Sequence, residues 1–179
     1  MEDERAPFTA ALSYKPDAGG TLFLHEIAEL SQPLQVKLLR ALQERTIRRV
    51  GDTVDRKVDV RIVSATNRRL EDEVAEGRFR EDLFYRIAIG IINLPPVRER
   101  KGDKWLLAEY LLEQINRDAA NQPGYKDKNI STKAKKLILN NDWPGNVREL
   151  HATLLRASLW GVENKISESD IKEAMLVTP

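Results

Sequence analysis

The residues best placed to do chemistry are His25 and Glu26, near the end of the run Gly19-Gly20-Thr21-Leu22-Phe23-Leu24-His25-Glu26-Ile27. This run reads as a short buried strand, apolar and bounded by glycines, that delivers polar residues at its C-terminal edge. Open α/β sheets bind ligands beyond that edge. In nucleotide hydrolases with a phosphate loop, such a strand carries a metal-binding Asp and then a Glu that polarises the attacking water, the Walker B arrangement. Here His25 stands before Glu26, and nothing upstream reads Gly-x-x-x-x-Gly-Lys-Ser/Thr. Neutral imidazole is a poorer partner than carboxylate for hard Mg²⁺, so His25 reads as an altered Walker B position. A transition-metal role would need a second ligand, and His151, the other histidine, has no ligand spacing to it. Glu26 also has a plainer reading, a partly exposed carboxylate capping the next helix.

Composition narrows the possibilities. A chain of 179 residues, 41% apolar and 32% charged, suits a soluble globular protein able to bury a full core. Its 29 basic and 28 acidic residues leave a net charge of +1, so there is no overall electrostatic footprint for nucleic acid. Cysteine is absent, which excludes disulfides and thiolate metal sites and fits a cytoplasmic home. No apolar run is long enough to span a bilayer, and the acidic start Met1-Glu2-Asp3-Glu4 is unlike a signal peptide.

The elements that must position these residues follow from periodicity. After a first loop or hairpin to about Pro16 comes the strand Thr21–His25. Ser31-Gln32-Pro33 is a helix-start signal, and Leu34, Leu38, Leu39 and Leu42 repeat at helical spacing, which predicts an amphipathic helix over Ser31–Glu44. Ile47–Val50 and Thr53–Lys57 flank Gly51-Asp52 as a β-hairpin. Val58–Ala65 reads as a second buried strand ending in Thr66-Asn67. A helix over Leu70–Glu76 follows, and Ile87–Leu94 reads as a third core strand stopped by Pro95-Pro96. Beyond Arg100 the pattern is helical: Leu106–Asn116, Ser131–Asn140 with Ser131 as N-cap, Val147–Trp160, and Ser167–Met175 opening on a Ser-x-x-Asp capping pattern. The segment Ala120–Asn129 reads as an exposed loop, and Trp143 and Trp160 as core anchors.

Gly-Gly-Thr-Leu-Phe-Leu-His-Glu-Ile, Ser-Ala-Thr-Asn, Phe-Arg-Glu-Asp-Leu-Phe-Tyr-Arg-Ile, Leu-Pro-Pro-Val-Arg-Glu-Arg and Trp-Pro-Gly-Asn-Val-Arg-Glu-Leu occur in that order. Together they closely resemble the central AAA+ domain of sigma-54-dependent transcriptional activators, the bacterial enhancer-binding proteins. The likeness runs from about Ala6 to Asp170. It implies an α/β fold: a partial AAA+ parallel sheet flanked by helices over residues 1–95, then a small all-helical lid subdomain over 96–179. The family's first strand, phosphate loop and second strand have no counterpart in these residues. With a family strand order of 5-1-4-3-2, the counterparts of strands four and five lose the neighbour between them. Unpaired edges and marginal stability are the expectation.

The resemblance also assigns roles. Glu26 would be the catalytic base and His25 would occupy the metal-shell position. Asn67 would be the sensor I residue that reports the γ-phosphate. Arg80 and Arg86 would be arginine fingers reaching a neighbouring protomer's site, although either could instead pair with Glu81 or Asp82. Arg78 falls at a position the motif does not fix and carries less weight. Arg148 would be the sensor II arginine on a lid helix, or else a surface residue paired with Glu149 or Asp142. Ala6-Pro7-Phe8-Thr9-Ala10-Ala11 aligns with the family's sigma-contacting Gly-Ala-Phe-Thr-Gly-Ala loop. Phe8 and Thr9 are kept, while both glycines are Ala and a Pro is introduced, which removes backbone freedom.

ATP and Mg²⁺ are the cofactors the family implies. The implied partners are the sigma-54 RNA polymerase holoenzyme and like activator subunits in a ring, with no direct DNA contact and no membrane. The resulting expectation is a partial AAA+ ATPase module that keeps nucleotide-sensing and subunit-interface residues but does not hydrolyse ATP alone. The alternative is a non-enzymatic regulatory or interaction remnant that binds activator subunits or sigma factor.

Overall fold

The structure, a computed structural model, describes residues 20–48, 53–161 and 163–175. The chain divides into two compact units, Met1–Ile92 and Asn93–Pro179.

In the first unit, strand β1 (Thr21–Leu24) lies parallel to β4 (Arg61–Ser64), with Leu22 opposite Ile62 and Phe23 opposite Val63. Backbone bonds continue the pairing past the strand ends, from Ala65 N to Leu24 O at 2.9 Å and from Ile27 N to Ala65 O at 3.1 Å. Parallel neighbours need a crossover. Helix α1 (Gln32–Glu44) lies within it, with Pro33 in its first turn, where a missing N–H costs nothing. An antiparallel ribbon of β2 (Thr46–Arg48) and β3 (Asp55–Lys57) follows, with Ile47 opposite Arg56. The expected turn Gly51-Asp52 lies outside the described residues. Helices α2 (Leu70–Ala75) and α3 (Glu81–Ile87) complete the unit. Its core is Ile27, Leu38, Leu39, Phe79 and Leu83.

Two strand expectations change here. The second strand is shorter than Val58–Ala65; among the described residues only β1 pairs with it, and its pleat alternates exposed and half-buried side chains. The third strand, expected over Ile87–Leu94, does not form. Ile87 ends α3, and residues 88–96 have no regular structure. The side chains that alternated like a strand are left in solvent, with Ile89 at 89% and Ile92 at 86% exposure. Beside them is a groove of about 790 Å³, lined by Leu22, Leu38, Ile62, Ile87, Ile89 and Ile92 among others. A strand is held by its neighbours' hydrogen bonds, and among the described residues none lies between β4 and this segment. The amides of Ile89, Ile91, Ile92 and Asn93 should therefore exchange with deuterium at nearly unprotected rates, while Leu22 and Val63 are protected. Strong protection across residues 89–93 would mean the strand had formed.

The second unit is helical, with one addition. Helices α4 (Asp103–Ala119), α5 (Thr132–Asn140), α6 (Asn146–Trp160) and α7 (Glu168–Ala174) pack around Leu112, Ile138, Trp143, Leu150, Leu154 and Ile171. The addition corrects the all-helical expectation. β5 (Asn129–Ile130) and β6 (Lys165–Ile166) form a two-residue parallel pair. The caps follow the sequence reading. Ser131 accepts from Ala134 N, and Ser167 and Asp170 form a reciprocal capping box.

Lys128 is buried although it sits in the segment read as an exposed loop. Its ammonium donates to the carbonyls of Gly161 and Glu163, both at 2.7 Å, next to the end of α6, where positive charge is favoured. Trp143 is fully buried, and its indole N–H donates to Ile138 O at 2.9 Å. Trp160 is not the core anchor expected of it. It ends α6 with 61% exposure, two residues past Ser158, the last buried position of that helix.

Candidate functional site

His25, Glu26 and Asn67 meet at the C-terminal edge of the parallel pair. β1 ends at Leu24, so His25 and Glu26 leave the strand in a turn, and Glu26 takes a left-handed backbone conformation with φ 53° and ψ 50°. A residue with a Cβ pays for that conformation, and such strain clusters at functional sites. β4 ends at Ser64, and the chain turns through Ala65 and Thr66 to Asn67. The Asn67 amide N–H donates to Glu26 Oε2 at 3.2 Å, and His25 Nδ1 lies 3.8 Å from Glu26 Oε1. Glu26 is the N-cap residue of the short 3₁₀ turn Ile27–Glu29, but its side chain makes no capping hydrogen bond there. The helix-capping reading of this carboxylate is therefore set aside, and its partner is the Asn67 backbone across the strand ends.

This donor set does not fit a magnesium site built from these residues. Mg²⁺ prefers oxygen ligands in octahedral array. The edge offers one carboxylate, already holding an amide, beside an imidazole. Among the described residues no three His, Cys, Asp or Glu side chains converge.

Arg80 and Arg86 both belong to α3, Arg80 as its N-cap residue and Arg86 in its last turn. Arg80 is folded onto Asp82 as a two-pronged pair, Nε to Oδ1 at 3.0 Å and Nη2 to Oδ2 at 2.6 Å. That guanidinium holds the Asp82 carboxyl below the ordinary aspartate range, helped by the Leu83 amide. The salt-bridge alternative is thus realised for Arg80 in this conformation. Arg86 is different, since its Nη2 donates to the Leu42 carbonyl at 3.1 Å and no carboxylate pairs with it among the described residues.

Arg78 makes a forked pair with the buried Glu73, at 2.7 and 2.8 Å, and also pairs with Glu76. It is a tie between α2 and the turn before α3. The Arg78 guanidinium, with Arg68 farther off, holds the Glu73 carboxyl below the usual glutamate range. A carboxylate depressed on folding stabilises at pH above its unfolded value, about 4.3, and that stability is lost as pH falls through the lower folded value. Glu73→Gln should therefore lower the urea midpoint of unfolding at pH 7, and the gap to the parent should be smaller at pH 3. An equal gap at both pH values would contradict this assignment.

Arg148 is exposed in the first turn of α6 and, among the described residues, pairs with neither Glu149 nor Asp142. Glu149 instead accepts from Gly145 N at 2.7 Å. Phe8 and Thr9 lie outside the described residues.

Sequence reading passed over Gln35. It occupies the apolar face of α1 beside Leu38 and Leu39, is 0% exposed, and bonds to backbone on both sides of Phe79. A lone amide among leucines at helical spacing was the available signal.

A parallel strand pair with polar groups at its C-terminal edge, followed by a separate helical unit, defines a mixed α/β module with a helical lid. Residues 10–93 match the Sigma-54 interaction domain, and residues 98–178 match the AAA+ ATPase lid domain. The chain belongs to the AAA+ family of sigma-54-dependent activators.

It is 44% identical over 169 residues to the Nif-specific regulatory protein of Azotobacter vinelandii, covering 92% of this chain and 31% of that protein. It is 44% identical over 175 residues to the anaerobic nitric oxide reductase transcription regulator NorR of Salmonella newport, covering 95% and 34%. Among solved structures, NtrX from Brucella abortus in complex with ADP superposes with a TM-score of 0.75 at 34% identity, covering 84% of this chain and 34% of that one. The same protein in complex with ATP gives a TM-score of 0.75 at 33% identity, covering 89% and 37%. The chain thus spans about a third of the length of the relatives it matches.

Proposed function

We propose that these residues form the catalytic-glutamate, sensor and finger portion of an ATP site shared between activator subunits, and do not hydrolyse ATP by themselves. The observation that carries this reading is Glu26, held in a left-handed turn at the sheet edge with its carboxylate on the Asn67 amide. A general base must be fixed near its water, and a strained turn backed by a hydrogen bond across two strands fixes it.

In this reading Glu26 orients the water that attacks the γ-phosphate of ATP. The Asn67 side chain, whose backbone already holds Glu26, senses that phosphate. Arg80 and Arg86 stabilise charge on a neighbour's nucleotide, which the planar guanidinium suits. Arg148, exposed and without an ion partner among the described residues, is open to nucleotide in its own subunit. His25 borders the site without a metal-holding role, and the grip on the phosphates comes from a phosphate loop these residues do not include. Phe8 and Thr9 would touch the sigma-54 RNA polymerase holoenzyme, in the bacterial cytoplasm. The match to the Sigma-54 interaction domain supports sigma-54 as the partner, and the ADP and ATP complexes of NtrX support nucleotide as the ligand.

Size-exclusion chromatography with an intact activator of this family tests the shared site. With ATP present the chain should co-elute with the activator, and the Arg80→Ala/Arg86→Ala variant should not. Equal co-elution of both, or of neither, contradicts a subunit-interface role for these arginines.

A further inference from the structure

We infer that Gln35 is the positioning residue for Arg80: one buried amide sets the backbone from which the inter-subunit arginine projects and ties it to the turn that follows Glu26. The inference rests on the reading of Arg80 as a finger. Its geometry does not.

Gln35 sits one turn into α1 and is fully buried. A buried carboxamide must find partners for both its oxygen and its nitrogen. The Gln35 oxygen accepts from Arg80 N at 2.9 Å. Its nitrogen donates to Arg78 O at 3.0 Å and to Leu30 O at 2.8 Å. The first two bonds bracket Phe79, so they fix the chain on either side of a buried aromatic whose burial holds it against the core. The third reaches the residue that closes the 3₁₀ turn after Glu26.

Other ties clamp the same stretch. Gln32 donates to Gly77 O at 2.9 Å, and Glu73 O accepts from Arg78 N and Phe79 N at 2.9 and 3.0 Å. Among the bonds that the described residues make to Arg80 and its flanks, only those of Gln35 also reach the Glu26 turn. A movement of that turn thereby shifts the Gln35 amide, and with it the N-cap position of α3. Gln35 is fully buried, so its effect on a neighbour's nucleotide passes through Arg80.

The full chain, mixed with an activator subunit that keeps its phosphate loop but carries alanine at its own finger positions, provides the test. ATP turnover at that subunit reads Arg80. Gln35→Leu, which removes all three bonds, should lower kcat about tenfold and leave the KM for ATP within about twofold of the parent. Gln35→Glu guards against a folding failure of the leucine variant. At neutral pH it keeps an acceptor for Arg80 N but no donor for Leu30 O or Arg78 O, so its kcat should fall in the same direction.

The decisive comparison is Gln35→Leu in the Arg80→Ala background, where it should cause no further loss, because residues acting as a unit are non-additive. Multiplying losses would overturn the inference. In parallel, Gln35→Leu should speed deuterium exchange at the Arg80 amide about tenfold relative to Leu39 in the same unit. Unchanged exchange would also overturn it. If Arg80→Ala itself leaves turnover unaltered, the finger reading fails, and the exchange result still decides whether Gln35 fixes this backbone.

Discussion

Arg80→Ala should remove nearly all of the turnover that this chain confers on a finger-less activator subunit, a loss of about 10³-fold or more. The size follows from what a guanidinium does at a phosphoryl transition state. Charge spreads over several oxygens, and a planar donor fork meets them without reorganising. Here the fork already has its partner geometry, because Arg80 engages both Asp82 oxygens. A phosphate presents the same kind of oxygen pair, so in the proposed role of Arg80 a nucleotide would compete with Asp82 for one guanidinium.

Arg80→Lys keeps the charge and loses the fork. It should recover less than about a tenth of the parent turnover. Neither change should lower stability much, because the pair is half exposed and exposed ion pairs contribute about 1 kcal/mol or less. Loss of turnover with an unchanged unfolding midpoint therefore separates catalysis from folding.

Trp143→Ala should cost the helical unit about 3–5 kcal/mol, which is close to unfolding it, given total stabilities of about 5–15 kcal/mol. Trp143 is the largest fully buried side chain in the described residues. It packs in the cluster with Ile138, Leu150, Leu154 and Ile171. Its removal leaves a cavity and an unpaired Ile138 carbonyl, whose hydrogen bond to the indole is 2.9 Å. Its neighbours cannot simply collapse, because the turn is fixed as well: Trp143 and Asn146 both have positive φ, and Asn146 Oδ1 accepts from Val97 N at 2.9 Å. Trp143→Phe should fall between parent and alanine. Trp160→Ala should change stability by about 0.5 kcal/mol or less, since that ring is mostly in solvent. Guanidinium unfolding followed by far-UV circular dichroism measures all three.

What sequence made legible was what local pattern decides. The leucines of α1 repeat on one face, and those at 38 and 39 are buried. Ser131 and Ser167 cap the helices they were read to start. The edge that carries Glu26 and Asn67 could also be read, because strand ends and turn residues mark it. The missed features depend on partners far along the chain. Ile87–Leu94 alternates like a strand, yet alternation makes a strand only beside a neighbour, and β4 has none on that side among the described residues. Lys128 lies in a polar, glycine- and proline-bearing segment and is buried only because Gly161 and Glu163 turn their carbonyls toward it. Trp160 reads as core by residue type, but it falls past the buried stripe of its helix. The Asp82 partner of Arg80 was one of two acids on offer, and only geometry chose between them.

On the proposed reading these residues supply part of a shared ATP site and not a self-sufficient one. ATP turnover of the purified chain, measured alone and then with the finger-less activator subunit, tests it most directly. The chain alone should show no turnover, and the mixture should show turnover that falls about 10³-fold with Arg80→Ala. Turnover by the chain alone that is abolished by Glu26→Gln would contradict it.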